Sequence, residues 1–213
     1  MSLLLERRAM MKHGRLPSDY QEVAWIKSDG KAYINTNLLV SSVCRIKCQM
    51  SMSDYSAGGA TKRFFGTWDN SVGDGLYTAA RPAYTTWYFW RGGWYDTAVP
   101  CENNVIYDID YNGLTDSPYL KINDTTIPIS SLSTTQIPSP FMFFGSNNGG
   151  DNDANGLFTL SKDFVIEFSS GEAFHGIPCY RKNDGVIGVY DLAIQQFFTN
   201  AASTGSFTHG SNV

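Results

Sequence analysis

Residues 44–52, Cys44-Arg45-Ile46-Lys47-Cys48-Gln49-Met50-Ser51-Met52, alternate strictly between apolar and polar side chains. Side chains on a β-strand point to opposite faces with a period of two, so the pattern predicts a strand with one dry and one wet face. Such a strand belongs to a sheet that a second layer covers on one side only. The stretch therefore favours a fold made of packed β-sheets.

Similar patterns predict further short strands along the rest of the chain, about a dozen in all. Turn signals such as Ser28-Asp29-Gly30, Asn112-Gly113 and Asn183-Asp184-Gly185 separate them. This spacing is typical of sandwiches and jelly rolls, and it predicts an all-β, two-sheet antiparallel jelly-roll sandwich. The further predicted strands are 22–28, 32–36, 63–68, 76–80, 85–90, 105–111, 119–122, 140–144, 164–168, 186–192 and 196–199.

The composition agrees with a single β-domain. The chain has 213 residues, of which 14% are aromatic and 17% charged, and it contains 20 glycines. This balance suits short strands joined by tight turns. Beyond residue 15 we find neither an internal repeat nor a second zone of composition, so one jelly-roll domain is predicted at 16–213.

Charge and hydropathy argue against two classes of partner. The net charge is -4 and the 16 basic residues are largely dispersed, so we expect no binding of nucleic acid. No apolar run approaches the roughly 20 residues of a membrane span, so we expect no membrane partner. The opening run Leu3-Leu4-Leu5 is too short for a signal peptide, and synthesis in the cytoplasm is expected.

A helix is predicted at residues 2–13, ahead of the β-domain. Leu3, Leu4, Met10 and Met11 fall on one side of it, and Arg7 contributes to a short basic cluster. An isolated helix of this length is marginal in water. Residues 1–15 are therefore either a helical arm that binds a partner through these five residues, or a disordered or self-packed start.

The four cysteines, Cys44, Cys48, Cys101 and Cys179, are expected to be reduced and buried. Cys44 and Cys48 would share one strand face with Cα atoms roughly 13 Å apart, too far for a disulfide bond. A zinc site needs paired cysteines at C-x2-C spacing, which the sequence lacks. No zinc is therefore predicted.

Two stretches carry a resemblance to a known family. The first runs from Leu16-Pro17-Ser18-Asp19-Tyr20 to Tyr33-Ile34-Asn35-Thr36. The second runs from Ile177-Pro178-Cys179-Tyr180-Arg181 to Gly205-Ser206-Phe207. Both resemble concanavalin A-like (laminin-G-like) jelly-roll domains of the kind found in bacteriophage structural proteins and gut-bacterial prophages. Together they bracket nearly the whole chain.

The resemblance implies a virion protein as well as a fold. The expected function is a non-enzymatic structural component of a bacteriophage, either an appendage or a capsid decoration, that mediates assembly or surface attachment. Its partners would be other virion proteins, bound through the arm at 1–15, and self-association stays open. The alternative is a lectin-like domain that recognises host or gut glycans, because a fold alone does not define a function.

Several residues of the resembling stretches suit structural roles. Gly185 and Gly205 fit turns that require positive φ. Asp191 and Asn200 are placed to tie loops through hydrogen bonds to the backbone. We expect these residues to hold the sandwich closed.

No catalytic residues are predicted. Glucanases of concanavalin A-like fold use a Glu-x-Asp-x-x-Glu strand, and this sequence has none. Asp108 and Asp110 share a strand face, but their surroundings favour a strand with a polar outer side. His175 and Cys179 lie near each other in sequence, although a lone histidine beside a hairpin is more typical of a turn or surface position.

One loop resembles half of a calcium site. Residues 151–156, Asp-Asn-Asp-Ala-Asn-Gly, match D-x-D-x-N-G, with oxygen ligands expected from Asp151, Asp153 and Asn155. Lys162 stands at the twelfth position, where a bidentate glutamate is needed. The loop is therefore either a weak calcium site or an ordinary polar loop, and no other cofactor is predicted.

The segment 84–95 is the candidate for ligand contact, with Trp87, Trp90, Arg91, Trp94 and Tyr95 as the predicted residues. Alternation sends Trp87 to one face of a strand and Trp90 to the other. Outward aromatic rings could stack on a sugar, with Arg91 bonding its hydroxyls, or form a protein interface. A third interpretation is that the hairpin is simply packed beneath loops.

Overall fold

The structure is a computed structural model that describes residues 15–55, 61–69, 74–80, 86–91, 94–130, 132–148, 151–152 and 156–213. The regular secondary structure in these ranges is all β. The strands are β1 (Tyr20–Glu22), β2 (Ile26–Ser28), β3 (Ile34–Asn35), β4 (Arg45–Met52), β5 (Lys62–Asp69), β6 (Asp74–Ala80), β7 (Thr86–Arg91), β8 (Trp94–Pro100), β9 (Tyr107–Asn112), β10 (Tyr119–Ile122), β11 (Thr125–Pro128), β12 (Met142–Phe143), β13 (Asn147–Asn148), β14 (Asp151–Asn152), β15 (Phe158–Leu160), β16 (Phe164–Phe168), β17 (Gly171–Arg181), β18 (Ile187–Asp191), β19 (Gln196–Thr199) and β20 (Phe207–His209).

These strands form two sheets. The first sheet has the order β11-β10-β9-β4-β16-β17-β18-β19, and β1, β2, β15 and β20 pair beside this path. The second has the order β14-β13-β5-β6-β7-β8, with β12 and β3 beside it. The pairings are antiparallel, apart from a short parallel contact of β13 with β5. The prediction of an all-β fold with two antiparallel sheets is confirmed.

Aromatic rings from the two sheets meet between them and form the core. Phe143 of the second sheet stacks on Phe164 of the first, with ring centroids 4.2 Å apart. Phe89 of the second sheet lies 5.0 Å from Tyr111 of the first, with the ring planes tilted. Buried rings contribute large apolar area and contacts with preferred geometry, so they join the sheets into one sandwich.

The stretch 44–52 behaves as its alternation predicts. Strand β4 buries Ile46, Cys48, Met50 and Met52 and leaves the intervening residues partly exposed. The described cysteines are free and buried, which confirms the prediction. Burial raises the pKa of the Cys44 thiol to about 12, because removal from water disfavours the thiolate.

The longest strand, β17, is absent from the predicted set. Gly176 and Pro178 lie inside β17, and both residue types normally argue against a strand interior. A Cβ at Gly176 would lie 2.4 Å from Val189 Cγ1 and 2.5 Å from the Phe174 ring, so only glycine fits there. The carbonyl of Pro178 accepts the backbone N–H of Val23, which keeps the strand paired on that side.

The two ends of the described chain meet in the first sheet. Strand β2 pairs with β20, with Ile26 opposite His209. Asn200 Oδ1 accepts the backbone N–H of Tyr33, and the buried Asp191 accepts the backbone N–H of His175. Gly185 and Gly205 have φ angles of 70° and 85°, as predicted for these turns. The resembling stretches thus close the sandwich.

The predicted helical arm lies outside the described residues, which begin at Arg15. Its contact residues Leu3, Leu4, Arg7, Met10 and Met11 therefore stay predictions. Within the described ranges, no helix combines the length and the apolar character needed to cross a bilayer.

Candidate functional site

Strand β7 separates its aromatic residues between the two faces of the second sheet. Trp87 is 1% exposed and Phe89 is fully buried, and both belong to the core. Trp90 points to the opposite, outer face and is partly exposed. The alternation of a β-strand thus places one tryptophan inside the sandwich and another at its surface.

Trp90 lies in a cluster of rings on this outer face. Its ring centroid is 5.1 Å from that of Trp68, with the planes nearly perpendicular, and 6.1 Å from that of Tyr77, with the planes nearly parallel. The guanidinium carbon of Arg63 lies 5.2 Å from the centre of the Tyr77 ring. We call Arg63, Trp68, Tyr77 and Trp90 the aromatic patch.

Two glycines allow the aromatic patch to form. Gly66 pairs with Tyr77 across β5 and β6, and a Cβ at Gly66 would lie 2.2 Å from Tyr77 Cβ. Its φ of +144° also favours glycine. Gly75 faces Trp68, where a Cβ would approach the indole to 2.5 Å. The missing side chains leave room for the rings to lie across neighbouring strands.

The predicted ligand contacts are only partly brought together. Trp87 and Arg91 point into the core, where Arg91 is 4% exposed, so their predicted role at the surface is corrected. The inner face of β7 carries both of them because they share its period with Phe89. Tyr95 packs against the core, and its hydroxyl lies 3.1 Å from Ser130 Oγ. Trp94 pairs with Trp90 through the backbone.

The outer face of the first sheet has a different character. It forms an open groove of about 990 Å³ across β9, β4 and β16. Lys47, Gln49, Asp108, Asp110 and Val165 project from these strands and form its floor. The predicted polar outer side of the strand at 105–111 is confirmed, because Tyr107, Ile109 and Tyr111 are buried between the aspartates.

Ion pairs and hydrogen bonds occupy much of the groove floor. Arg45 binds both carboxylate oxygens of Asp110, at 2.9 and 2.7 Å. Gln49 Nε2 donates to Asp108 at 2.9 Å. Because Asp110 is held by a guanidinium and Asp108 by an amide, these two carboxylates are engaged as structural acceptors.

A cluster of charges stands at one end of the groove. His175 Nε2 lies 2.8 Å from Asp163, and Nδ1 lies 3.3 Å from Glu172. Arg15 donates to Asp163 at 2.6 Å and also binds Glu22. The hydrogen bond to Asp163 raises the pKa of His175. Burial opposes ionisation of Asp163, but the bonds from His175 and Arg15 outweigh it and lower its pKa.

The described residues show no arrangement for nucleophilic catalysis at His175 and Cys179. The ring nitrogens of His175 are engaged by Asp163 and Glu172. Burial raises the pKa of the Cys179 thiol to about 12, which disfavours the reactive thiolate.

The predicted calcium loop falls largely outside the described residues. Asp153 and Asn155 are not among them, and Asp151 is described only through its backbone pairing with Asn148. Elsewhere in the described ranges, no group of three or more His, Cys, Asp or Glu side chains is placed to hold a metal ion. Calcium binding by this loop stays a prediction.

Comparisons with known proteins bear on the fold. No protein-family model and no curated protein matches the chain. A solved structure from Bacteroides ovatus ATCC 8483, described as a "putative carbohydrate binding protein", is similar with 11% identity and a TM-score of 0.57. The match covers 90% of this chain, which spans 62% of that protein. At this identity, the similarity shows the fold alone.

Two peptidase structures are also similar, with TM-scores of 0.36. They are Scytalido-glutamic peptidase, 13% identical, and SCP-B, a member of the eqolisin family, 12% identical. Each match covers 91% of this chain and 100% of the peptidase. Similarity at this level carries no inference about activity.

Proposed function

We propose that the protein is a carbohydrate-binding, lectin-like domain that holds sugar at the aromatic patch. The observation that carries the proposal is the grouping of Trp68, Tyr77 and Trp90 on an outer sheet face, with Arg63 over the Tyr77 ring. The two indoles are partly exposed. They therefore offer apolar surface to a ligand at a place where the remainder of the domain does not cover it fully.

The chemistry of the patch suits a sugar ring. One face of a pyranose is lined by C–H groups, and an aromatic ring offers it a flat apolar partner with a negative π-face. The guanidinium of Arg63 carries several N–H donors in a rigid plane, and these can bond sugar hydroxyls. The description of the Bacteroides ovatus neighbour as a "putative carbohydrate binding protein" supports the proposal at the level of fold.

The virion hypothesis stays a prediction. It depends on the resemblance of the two terminal stretches and on the arm at 1–15, of which the structure describes only Arg15. Labelling of intact phage particles with antibody against this protein would test it. The two hypotheses are compatible, because a sugar-binding domain can also be part of a virion.

A glycan array followed by calorimetry tests the carbohydrate proposal. We expect Trp90→Ala and Trp68→Ala each to weaken the binding of the glycan with the strongest array signal by about tenfold or more, because each removes a central aromatic contact. Trp25→Ala is the matched control, since Trp25 lies between β1 and β2, away from the patch, and is partly buried against Gly210. A blank array, or equal losses in the patch variants and in the control, would overturn the proposal.

A further inference from the structure

The groove on the first sheet combines charges of both signs in equal number. Its lining contains four cationic and four anionic side chains, and the amides of Gln49 and Asn123 add neutral donors and acceptors. An anionic or a cationic polymer would meet as many like charges as opposite ones. The charged residues of the lining are Arg15, Lys47, Lys121, Lys162, Asp108, Asp110, Asp124 and Asp163.

Part of this polar lining is available for a ligand. Lys121 and Asp124 are exposed, and neither side chain makes a hydrogen bond or an ion pair within the part of the chain that the structure describes. Lys162 is 65% exposed and only approaches Asp108, at 4.0 Å. These groups line the same groove and present both donors and acceptors to it.

One apolar side chain lies among these polar groups. Ile106 is 53% exposed, which is unusual for a large aliphatic residue in this protein, and it lines the groove. It offers a small apolar surface in the groove that Lys121 and Asp124 also line. A ligand that matches this surface has hydroxyl groups along its edges and C–H groups on its face.

We propose that the groove is a second carbohydrate site, which takes a neutral oligosaccharide lying across β9, β4 and β16. Each hydroxyl of such a chain both donates and accepts hydrogen bonds, so it can satisfy a lining of mixed sign. The volume of about 990 Å³ is at the upper end of the range for small-molecule sites. The inference rests on the proposed function and extends it to a second face.

The consequence is a domain with two sugar sites on opposite faces. The aromatic patch lies on the outer face of the second sheet, and the groove lies on the outer face of the first. One protein could therefore join two glycan chains, and binding to a glycan-coated surface would gain from both contacts.

The competing occupant of the groove is the chain itself. Arg15 lines the groove, and residues 1–14 precede it directly in the sequence. That segment carries a basic cluster and the apolar residues Leu4 and Met10. The experiment therefore includes a variant of this segment.

Calorimetry on the full chain tests the inference with neutral tetrasaccharides of glucose, xylose and N-acetylglucosamine as probes. We expect about two binding events per chain. Two double variants of the groove, Gln49→Ala/Asp108→Ala and Lys121→Ala/Asp124→Ala, should each remove the groove event and leave binding at the aromatic patch. Trp90→Ala should remove binding at the patch and leave the groove event. Tetragalacturonate, an anionic probe, should bind the groove about tenfold more weakly, because its carboxylates would lose water beside as many like charges as opposite ones.

Outcomes that affect one site alone separate the two proposals. One event that only Trp90→Ala removes would overturn the groove site and keep the proposed function. One event that only the groove variants remove would overturn the patch and keep the groove. Groove binding that appears only in Leu4→Asp/Met10→Asp would assign the groove to the chain's own first residues. No binding of any probe would overturn both.

Discussion

The outer face of the first sheet carries rows of paired charges, whereas the outer face of the second carries aromatic rings packed on one another. Arg45 and Asp110 form a bidentate pair whose side chains are 28% and 27% exposed. Tyr77, by contrast, is only 5% exposed although it lies on an outer face, because its neighbours cover it. The charged side chains of the first face are in contact with water, whereas the rings of the second face bury one another as in a small core.

This difference separates stability from recognition. Exposed ion pairs contribute little to the free energy of folding, so residues of the charged face can bind a ligand without also being needed for stability. Rings that bury one another contribute to both folding and binding, so changes on the aromatic face affect the two together. Variants on the aromatic face should therefore lower the free energy of unfolding more than variants on the charged face.

The largest effect is expected at Gly66. Gly66→Ala would place a Cβ within 2.2 Å of Tyr77 Cβ and force an alanine to φ +144°. Overpacking and backbone strain together should lower the free energy of unfolding by roughly 3 to 5 kcal/mol. Urea titration followed by circular dichroism measures this change.

Gly185→Ala is the matched control for Gly66→Ala. Gly185 also has a positive φ, of +70°, but a Cβ there would meet nothing within 4 Å. Strain alone should cost about 1 kcal/mol. Equal losses in both variants would show that contact with Tyr77 does not matter.

The next effect compares one side chain from each face. Tyr77→Ala removes a ring that contacts Trp68 and Trp90, and it should lower the free energy of unfolding by about 2 to 4 kcal/mol. Lys47→Ala, on the charged face, should cost about 0.5 kcal/mol or less. If the two variants had the same stability, the aromatic patch would not be acting as a core.

Some of this contrast could be predicted from the sequence. The period of two in residues 44–52 and 105–111 identifies a polar outer face, because polar residues at alternate positions cannot all be buried. The aromatic segment is harder. Alternation separates Trp87 from Trp90, but both faces of β7 are apolar, so the pattern alone does not tell which tryptophan is buried.

The partners of Trp90 could not be predicted from local sequence. Trp68 and Tyr77 come from two other strands, and they reach Trp90 only through the register of β5, β6 and β7. Register depends on the packing of the whole sheet. The isolated Gly66 inside a predicted strand was the one local signal, because such a glycine often marks a close approach of another chain segment.

A smaller effect is expected from the charge cluster at the end of the groove. The pKa of His175 is raised above its ordinary value of 6.5, so its contribution to stability is present below pH 6.5 and is lost as the pH rises through the raised pKa. The loss should be on the order of 1 kcal/mol, as for a partly exposed ion pair. The loss can be followed by measuring the free energy of unfolding at a series of pH values on both sides of neutral.

Two histidine variants sharpen this test. His175→Gln should abolish the step, because glutamine does not titrate. His209→Gln should preserve it, since the side-chain contacts that the described residues give His209 are a hydrogen bond to the carbonyl of Gly210 and a stack on Tyr180. A step that survives in His175→Gln would assign the pH dependence to another group.

A similarly small effect is expected for the ion pair on the charged face itself. A double-mutant cycle of Arg45→Met and Asp110→Asn should give a coupling of about 0.5 to 1 kcal/mol at low salt, because the geometry is bidentate but the pair is partly exposed. Raising the salt concentration should reduce this coupling, since solvent ions screen exposed charges. A coupling that is several-fold larger and insensitive to salt would mean that this face is buried by a partner or ligand in solution, as a permanently filled groove would require.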